Sequence, residues 1–118
     1  MTEPRTESDT VRIDVPALRR GLADARLSHI QDNGAADLAI HTSRAVLDWA
    51  AENGLTADPW PADGGCVEVT VTRGEGASAR HVRIRCDAIG GHSIHIPAEG
   101  SGPFDAVGKM VALAYLDR

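Results

Sequence analysis

The stretch CVEVTVTRGEGASARHVRIRCDAIGGHSIHIP, residues 66–97, decides the fold of this chain, because apolar and polar residues alternate along three consecutive segments of it. Successive side chains of a strand point to opposite faces, so alternation with a period of two indicates a strand with one buried face. Three such strands in a row predict an antiparallel meander whose second face is open. The apolar positions are Val67, Val69 and Val71, then Val82, Ile84 and Cys86, and finally Ile94 and Ile96.

The alternation also restricts how the first two predicted strands pair, because a slip of one residue would turn the apolar side chains toward water. Two registers satisfy it: one pairs Val69 with Ile84, and the other pairs Val69 with Val82. Both registers place Cys66 on the open face and Cys86 on the core face. The geometry therefore argues against a disulfide between these two cysteines.

The open face of the predicted sheet carries the candidate functional surface. For the second and third strands, the favoured register leaves residues 89–91 as the loop and sets Arg85 beside His95. A guanidinium fork beside an imidazole is a receptor for a carboxylate or a phosphate. The alternative is a solvated face with ordinary cross-strand pairs. With Val69 opposite Ile84, the candidate binding surface consists of a row of Glu68, Arg85 and His95 followed by a row of Thr70 and Arg83.

Two helices are predicted ahead of the strands. The first begins near Pro16, since a proline suits the first helical turn, and ends at Asn33-Gly34, a pair that favours a left-handed cap. The second covers residues 35–52 and ends at a similar pair, Asn53-Gly54. Apolar residues lie on two sides of this second helix. It is therefore expected to be sandwiched between other elements, or to form a dimer.

A third helix is predicted to open at Pro103, with Asp105 near the positive end of its dipole. Gly108 costs about 1 kcal/mol against alanine inside a helix, so it is expected to mark a close packing contact. The apolar residues of this helix form one stripe, which consists of Phe104, Val107, Val111 and Ala114, widened by Met110, Leu113 and Leu116.

The predicted fold class is α+β: two N-terminal helices, a three-stranded antiparallel meander and a C-terminal helix, with the helices on one sheet face. Residues 1–10 are polar and without periodicity and are expected to be a disordered tail, which leaves residues 11–118 as a single domain. Residues 55–65 and 98–102 are predicted loops. Trp60, between two prolines in the first loop, is expected to fold back as a lid over the core, with an exposed contact as the alternative.

The composition excludes some classes of function. A net charge of −5 argues against a nucleic-acid binder, which usually carries a basic excess. No apolar run approaches the roughly 18 residues of a membrane span, and no signal peptide is recognisable, so a cytoplasmic protein is expected. Lys109 is the single lysine among twelve basic residues, a bias typical of a bacterial genome of high GC content.

No catalytic, cofactor or metal motif is recognisable. His92 and His95 have a spacing that would join two zinc ligands on a helix, but on a strand it places them on opposite faces. Two cysteines are too few for a disulfide framework. The chain is accordingly predicted not to be an enzyme, and no catalytic residue, cofactor or metal ligand is assigned.

From Ala45 onward, the predicted order of helix, three strands and helix resembles the double-stranded-RNA-binding domain. The stretch LDWAAENGL, residues 47–55, is similar to the first helix of that family, and DAVGKMVALAYL, residues 105–116, is similar to its last helix. The resemblance covers residues 45–118 and implies helices packed on one sheet face. The family's lysine cluster and its Gly-Pro-x-His loop are absent, however, which implies a version of the fold used for protein contacts.

The leading prediction is therefore a small non-enzymatic interaction or regulatory module that binds another protein or a second copy of itself. The first alternative is a nucleic-acid-binding domain that uses Arg83, Arg85 and Lys109. The second is a protein that binds a small anionic ligand through Arg85 and His95. No membrane partner is expected.

Overall fold

The computed structural model describes residues 14–118, so the predicted tail over residues 1–10 lies outside the described residues. All neighbouring strands pair antiparallel, in the order β1-β2-β3-β4-β5. Within residues 14–118, no helix is long and apolar enough to cross a membrane. The elements are α1 (Val15–Asp32), α2 (Asp37–Glu52), β1 (Thr56–Pro61), β2 (Val67–Arg73), β3 (Arg80–Cys86), β4 (His92–Ile96), β5 (Gly100–Pro103) and α3 (Ala106–Leu116).

The three-stranded sheet of the prediction is wrong, because the sheet has five strands. Strand β1 lies inside the predicted loop over residues 55–65, where two prolines argued against regular structure. A strand at the edge of a sheet pairs on one side only, so a proline there can be accommodated without loss of a ladder hydrogen bond. Pro59 in fact faces Val69 and is buried. Strand β5 likewise replaces the predicted loop over residues 98–102.

The ends of the first two helices confirm the prediction. Helix α1 is capped by Asp14, whose Oδ1 accepts a hydrogen bond from the Ala17 backbone N–H at 3.1 Å. It ends at Asn33, and Gly34 adopts a φ of 110°. Helix α2 begins two residues later than predicted, at Asp37, and ends at Asn53 as expected.

Helix α2 is sandwiched within the chain, as its two apolar sides predicted. One side packs against α1 and the other against β1, β2 and β3. Both sides of α2 therefore make contacts inside the chain, although Leu38 on one of its apolar stripes is 52% exposed. A dimer formed through α2 stays a prediction. The buried residues of α2 are Ala39, Ile40, Thr42, Ser43, Val46, Leu47, Trp49 and Ala50.

The strands bury one face, as the alternation predicted. The apolar odd-numbered residues of β2 and the apolar even-numbered residues of β3 and β4 are buried, whereas Arg73 and Arg80 are half-buried and His92 is exposed. Helices α2 and α3 contact the sheet on this side, while the outward residues of β3 are exposed. The core residues of these strands are Val67, Val69, Val71, Val82, Ile84, Cys86, Ile94 and Ile96.

The pairing of β3 with β4 differs from the predicted register by two residues. Strand β2 meets β3 with Val69 opposite Ile84, one of the two registers left open by the sequence. In the next pair, however, Arg85 lies opposite Ser93 rather than His95. The reason is Asp87, whose Oδ1 accepts hydrogen bonds from the N–H groups of Ile89 and Gly91 at 3.2 and 2.7 Å. This carboxylate closes a longer turn than the one predicted over residues 89–91.

The last helix starts later than predicted, and most of its predicted apolar stripe is exposed. Pro103 belongs to β5, and Asp105 is the N-cap of α3, since its Oδ1 accepts a hydrogen bond from the Gly108 N–H at 2.9 Å. Phe104 is buried against Trp49, with the ring centroids 5.1 Å apart in an edge-on arrangement. The helix itself buries Ala112 and Leu116. Of the predicted stripe, Phe104 and Leu116 are buried, whereas Val107, Met110, Val111 and Ala114 are exposed.

Both cysteines are buried free thiols. Cys86 lies on the core face as predicted, but Cys66 does not lie on an open face, since it is only 8% exposed. It precedes the first residue of β2, so the strand alternation does not govern it. The backbone just before it is drawn toward α2, because Gly65 O accepts a hydrogen bond from the Ala36 N–H at 2.9 Å.

Candidate functional site

The open face of the five-stranded sheet brings all five predicted surface residues together. The strand pairings define two rows across this face, which we call the outer row and the central row. The outer row runs Trp60, Glu68, Arg85, Ser93 and Pro103, and the central row runs Asp58, Thr70, Arg83, His95 and Ser101. The predicted pairing of Glu68 with Arg85 is confirmed. His95, in contrast, lies beside Arg83 because of the register set by Asp87.

The two arginines at the centre of this face have no protein partner among residues 14–118. No carboxylate of the described chain lies within 4.0 Å of either guanidinium, although Glu68 stands opposite Arg85. Neither side chain donates a hydrogen bond to a described residue. Both residues are exposed. The face thus presents two guanidinium groups to solvent.

Two histidines on this face are held by neighbouring hydroxyl groups. His95 Nδ1 lies 2.9 Å from Ser101 Oγ, and His81 Nδ1 lies 2.8 Å from Thr72 Oγ1. These contacts engage Nδ1 and leave Nε2 of each ring for another partner. Two adjoining shallow depressions share Arg83 and His95 in their walls. The arrangement is suited to holding an anionic group by hydrogen bonds and charge.

No metal centre is formed by the described residues, since no group of three or more His, Cys, Asp or Glu side chains among them could hold an ion. His92 and His95 lie on different sides of β4, as the spacing predicted. The His92 ring packs edge-on against Phe104 at 5.3 Å, whereas His95 contacts Ser101 on the open face.

Trp60 is not a lid over the core. It is 49% exposed, because alternation along β1 turns its neighbour Pro59 inward and Trp60 outward. The Arg26 guanidinium lies 4.3 Å from the centroid of the indole ring, and its Nε donates a hydrogen bond to Pro59 O at 2.8 Å. Helix α1 thereby covers the free edge of β1, which protects that edge against pairing with another chain.

Helix α3 presents an apolar stripe to solvent. Val107 is 67% exposed and Met110 is 70% exposed, and Val111 and Ala114 continue the same side. Val107 and Val111 also line a groove against β5, whose floor includes Ile94 and Ile96. The sequence predicted this stripe but did not indicate which of its residues are buried. Which side of the helix is buried depends on how Phe104 is seated against Trp49, a tertiary contact that the sequence does not signal.

The residues predicted for nucleic-acid binding are not brought together. Lys109 lies on α3, with its Nζ 5.2 Å from the Phe104 ring, in the helical layer on the core side of the sheet. Arg83 and Arg85 face the opposite side. A continuous basic strip for a phosphate backbone is therefore not formed by these three residues.

Comparison with known proteins gives no assignment: no family model matches the chain, and neither a curated protein nor a solved structure matches it. The resemblance to the double-stranded-RNA-binding domain stays a prediction. The element order behind it, with three strands between two helices, differs from the five strands found between α2 and α3.

Proposed function

We propose that this protein is a non-enzymatic interaction module that binds a second copy of itself through the exposed stripe of α3. The observation that carries the proposal is the exposure of Val107, Met110 and Val111 on one side of a capped helix. Single exposed apolar residues are normal on a protein surface, but contiguous ones on a helix are typical of an interaction site. The adjoining groove against β5 enlarges the apolar area.

The spacing of the stripe supports a second copy as the partner. Its members are Val107, Met110, Val111 and Ala114, so the intervals along the helix are the same when read in either direction. When two such helices cross antiparallel about a two-fold axis, Met110 of one copy meets Val111 of the other, and Val107 meets Ala114. A surface that matches itself in this way is what a symmetric dimer requires. Antiparallel packing also brings helix ends of opposite dipole sign together.

The proposal is tested by sedimentation velocity over a wide range of protein concentration. The variants are Met110→Glu and, as a matched control, Ile89→Glu, which changes an apolar residue that is 85% exposed outside the stripe. The wild-type protein and the Ile89 variant should form dimers, whereas the Met110 variant should remain monomeric because its charge would be buried unpaired. A wild-type monomer at every concentration, or equal dimerisation of all three proteins, would contradict the proposal.

A further inference from the structure

We infer that the open face of the sheet is a second binding site, separate from α3, for an extended acidic segment of a partner protein, with Arg83 and Arg85 as its anchors. The inference does not depend on self-association through α3. It rests on the charges of the face, on the spacing of the two guanidinium groups, and on the hydroxyl and imidazole groups around them.

The two anchors differ from the other arginines of residues 14–118, because each of the others is held by the protein. Arg20, for example, bonds Asp48 at 2.8 Å, and Arg44 bonds Asp24 at 2.9 Å. The other held arginines each have one such partner: Arg19 donates to Thr56, Arg26 to Pro59 O and Arg80 to Arg118 O, while Arg73 pairs with Asp117 and Arg118 with Glu99. Arg83 and Arg85 lack such a partner in the described chain, and they stand on the same face of one strand. Two adjacent cations without an internal counter-charge are available to an external one.

The spacing of the anchors matches an extended peptide. Residues two apart on a strand are separated by about 6.6–6.8 Å along the chain. Alternate side chains of another extended chain have the same separation, so two carboxylates at alternate positions can each meet one guanidinium. A guanidinium can bind a carboxylate through two parallel hydrogen bonds, which adds geometric selection to the attraction of charge.

The surroundings place the segment toward β4 and β5. Asp58 and Glu68 lie on the β1–β2 half of the face and would repel an acidic chain there. The outward residues of the other half are uncharged or basic, namely Ser93, His95, Ser101 and Pro103. Glu99, in the turn between β4 and β5, is paired with Arg118 at 3.0 Å. The hydroxyl and imidazole groups of this half can donate hydrogen bonds to carboxylates.

The same charges favour a peptide over a nucleic acid. The face offers two arginines, and the described lysine lies in the opposite layer. Affinity for a nucleic-acid backbone grows with the number of phosphates that Lys and Arg neutralise, so two cations supply little of it. An acidic peptide, in contrast, can use the whole site with two carboxylates, one for each of the anchors Arg83 and Arg85.

The test is a fluorescence-anisotropy titration with labelled peptides at about 50 mM salt, where exposed charges are weakly screened. One probe alternates glutamate with threonine, a second contains glutamine in place of glutamate, and a third carries the same glutamates in a single block. A short duplex RNA is the fourth probe. One protein variant is a double variant that carries both Arg83→Gln and Arg85→Gln. The matched control is the single substitution Arg19→Gln on α1. Thermal unfolding confirms that each variant is folded.

The alternating acidic peptide should bind the wild-type protein and the Arg19 variant equally, and the double variant at least about tenfold more weakly, since charged hydrogen bonds are lost. The glutamine peptide should not bind, and the block peptide should bind more weakly. Binding unaffected by the double substitution, absence of binding to wild-type protein, or a preference for RNA would each overturn the inference. The Met110→Glu variant should bind the peptide normally, which separates this result from the test of self-association.

Discussion

Replacement of Gly108 by alanine should destabilise this protein, although the same change usually stabilises a helix. Inside an exposed helix, alanine is favoured over glycine by about 1 kcal/mol. At Gly108, however, an added Cβ would overlap the carbonyl oxygen of Pro103 in β5. That atom belongs to the backbone, so β5 or α3 would have to shift. Overpacking of this kind typically costs about 1–3 kcal/mol, so after the gain in helix propensity we expect a net loss of up to about 2 kcal/mol.

Gly21 provides a control with the opposite expected sign. It lies within α1, and an added Cβ there would meet no atom within 4 Å. Gly21→Ala should thus raise the free energy of unfolding by about 0.5–1 kcal/mol. Urea unfolding of both variants, followed by circular dichroism at equal protein concentration, gives the two differences directly. Stabilisation by Gly108→Ala similar to that by Gly21→Ala would refute the close contact between α3 and β5.

Two further predictions concern Cys86 and Asp87. Burial raises the pKa of the Cys86 thiol, and the Asp87 carboxylate adds to this effect while a hydrogen bond involving Ser43 opposes it. As the pH rises, the unfolded chain loses the thiol proton before the folded protein does, so the stability that comes from the neutral thiol is complete below the ordinary pKa of 9.0 and is lost as the pH rises through the raised pKa. Cys86→Ala should therefore make the free energy of unfolding, measured by urea titration, fall less steeply with pH. The same slope in the variant and the wild-type protein would contradict this. Asp87→Ala removes the acceptor for the N–H groups of Ile89 and Gly91 and should lower the free energy of unfolding by about 1–3 kcal/mol. Hydrogen exchange of the Gly91 amide should become faster. An unchanged exchange rate at Gly91 would contradict the role of Asp87 in this turn.

The sequence was sufficient to predict the elements whose own residues carry the signal. The alternation in β2, β3 and β4 predicted their buried faces, and the Asn-Gly pairs predicted the ends of α1 and α2. Strands β1 and β5 were missed because two prolines interrupt TADPWP and because GSGP consists of glycine, serine and proline, residues that are rare in strands or do not favour them. Strand β1 is held by its pairing with β2 and by contacts with α1 and α2, and β5 is held by its pairing with β4.

In the candidate site, too, some features could be predicted from the sequence and others could not. Alternation was enough to place Arg83, Arg85 and Glu68 on one open face. The position of His95 was missed because one side chain, Asp87, lengthens the turn that sets the register. That Arg83 and Arg85 lack partners among residues 14–118 could not be predicted, since the carboxylates, hydroxyl and carbonyl groups that hold the other arginines come from distant parts of the chain.

The orientation of α3 shows why an apolar stripe alone does not identify a core. The sequence contains two apolar sides of this helix, one with Ala112 and Leu116 and one with Val107 and Met110. Which side is buried depends on where the helix starts and on how Phe104 is seated against Trp49. The side left exposed is the one that we propose as the contact between two copies.

The most direct test of that contact is disulfide cross-linking through Met110→Cys. In the proposed antiparallel pair, the two copies of residue 110 lie next to the two-fold axis, whereas the native thiols of Cys66 and Cys86 are buried. Mild oxidation should therefore convert the Met110→Cys protein into a covalent dimer, while Ile89→Cys, more accessible but outside the stripe, should stay largely monomeric. Equal cross-linking of both variants, or none at residue 110, would contradict the account.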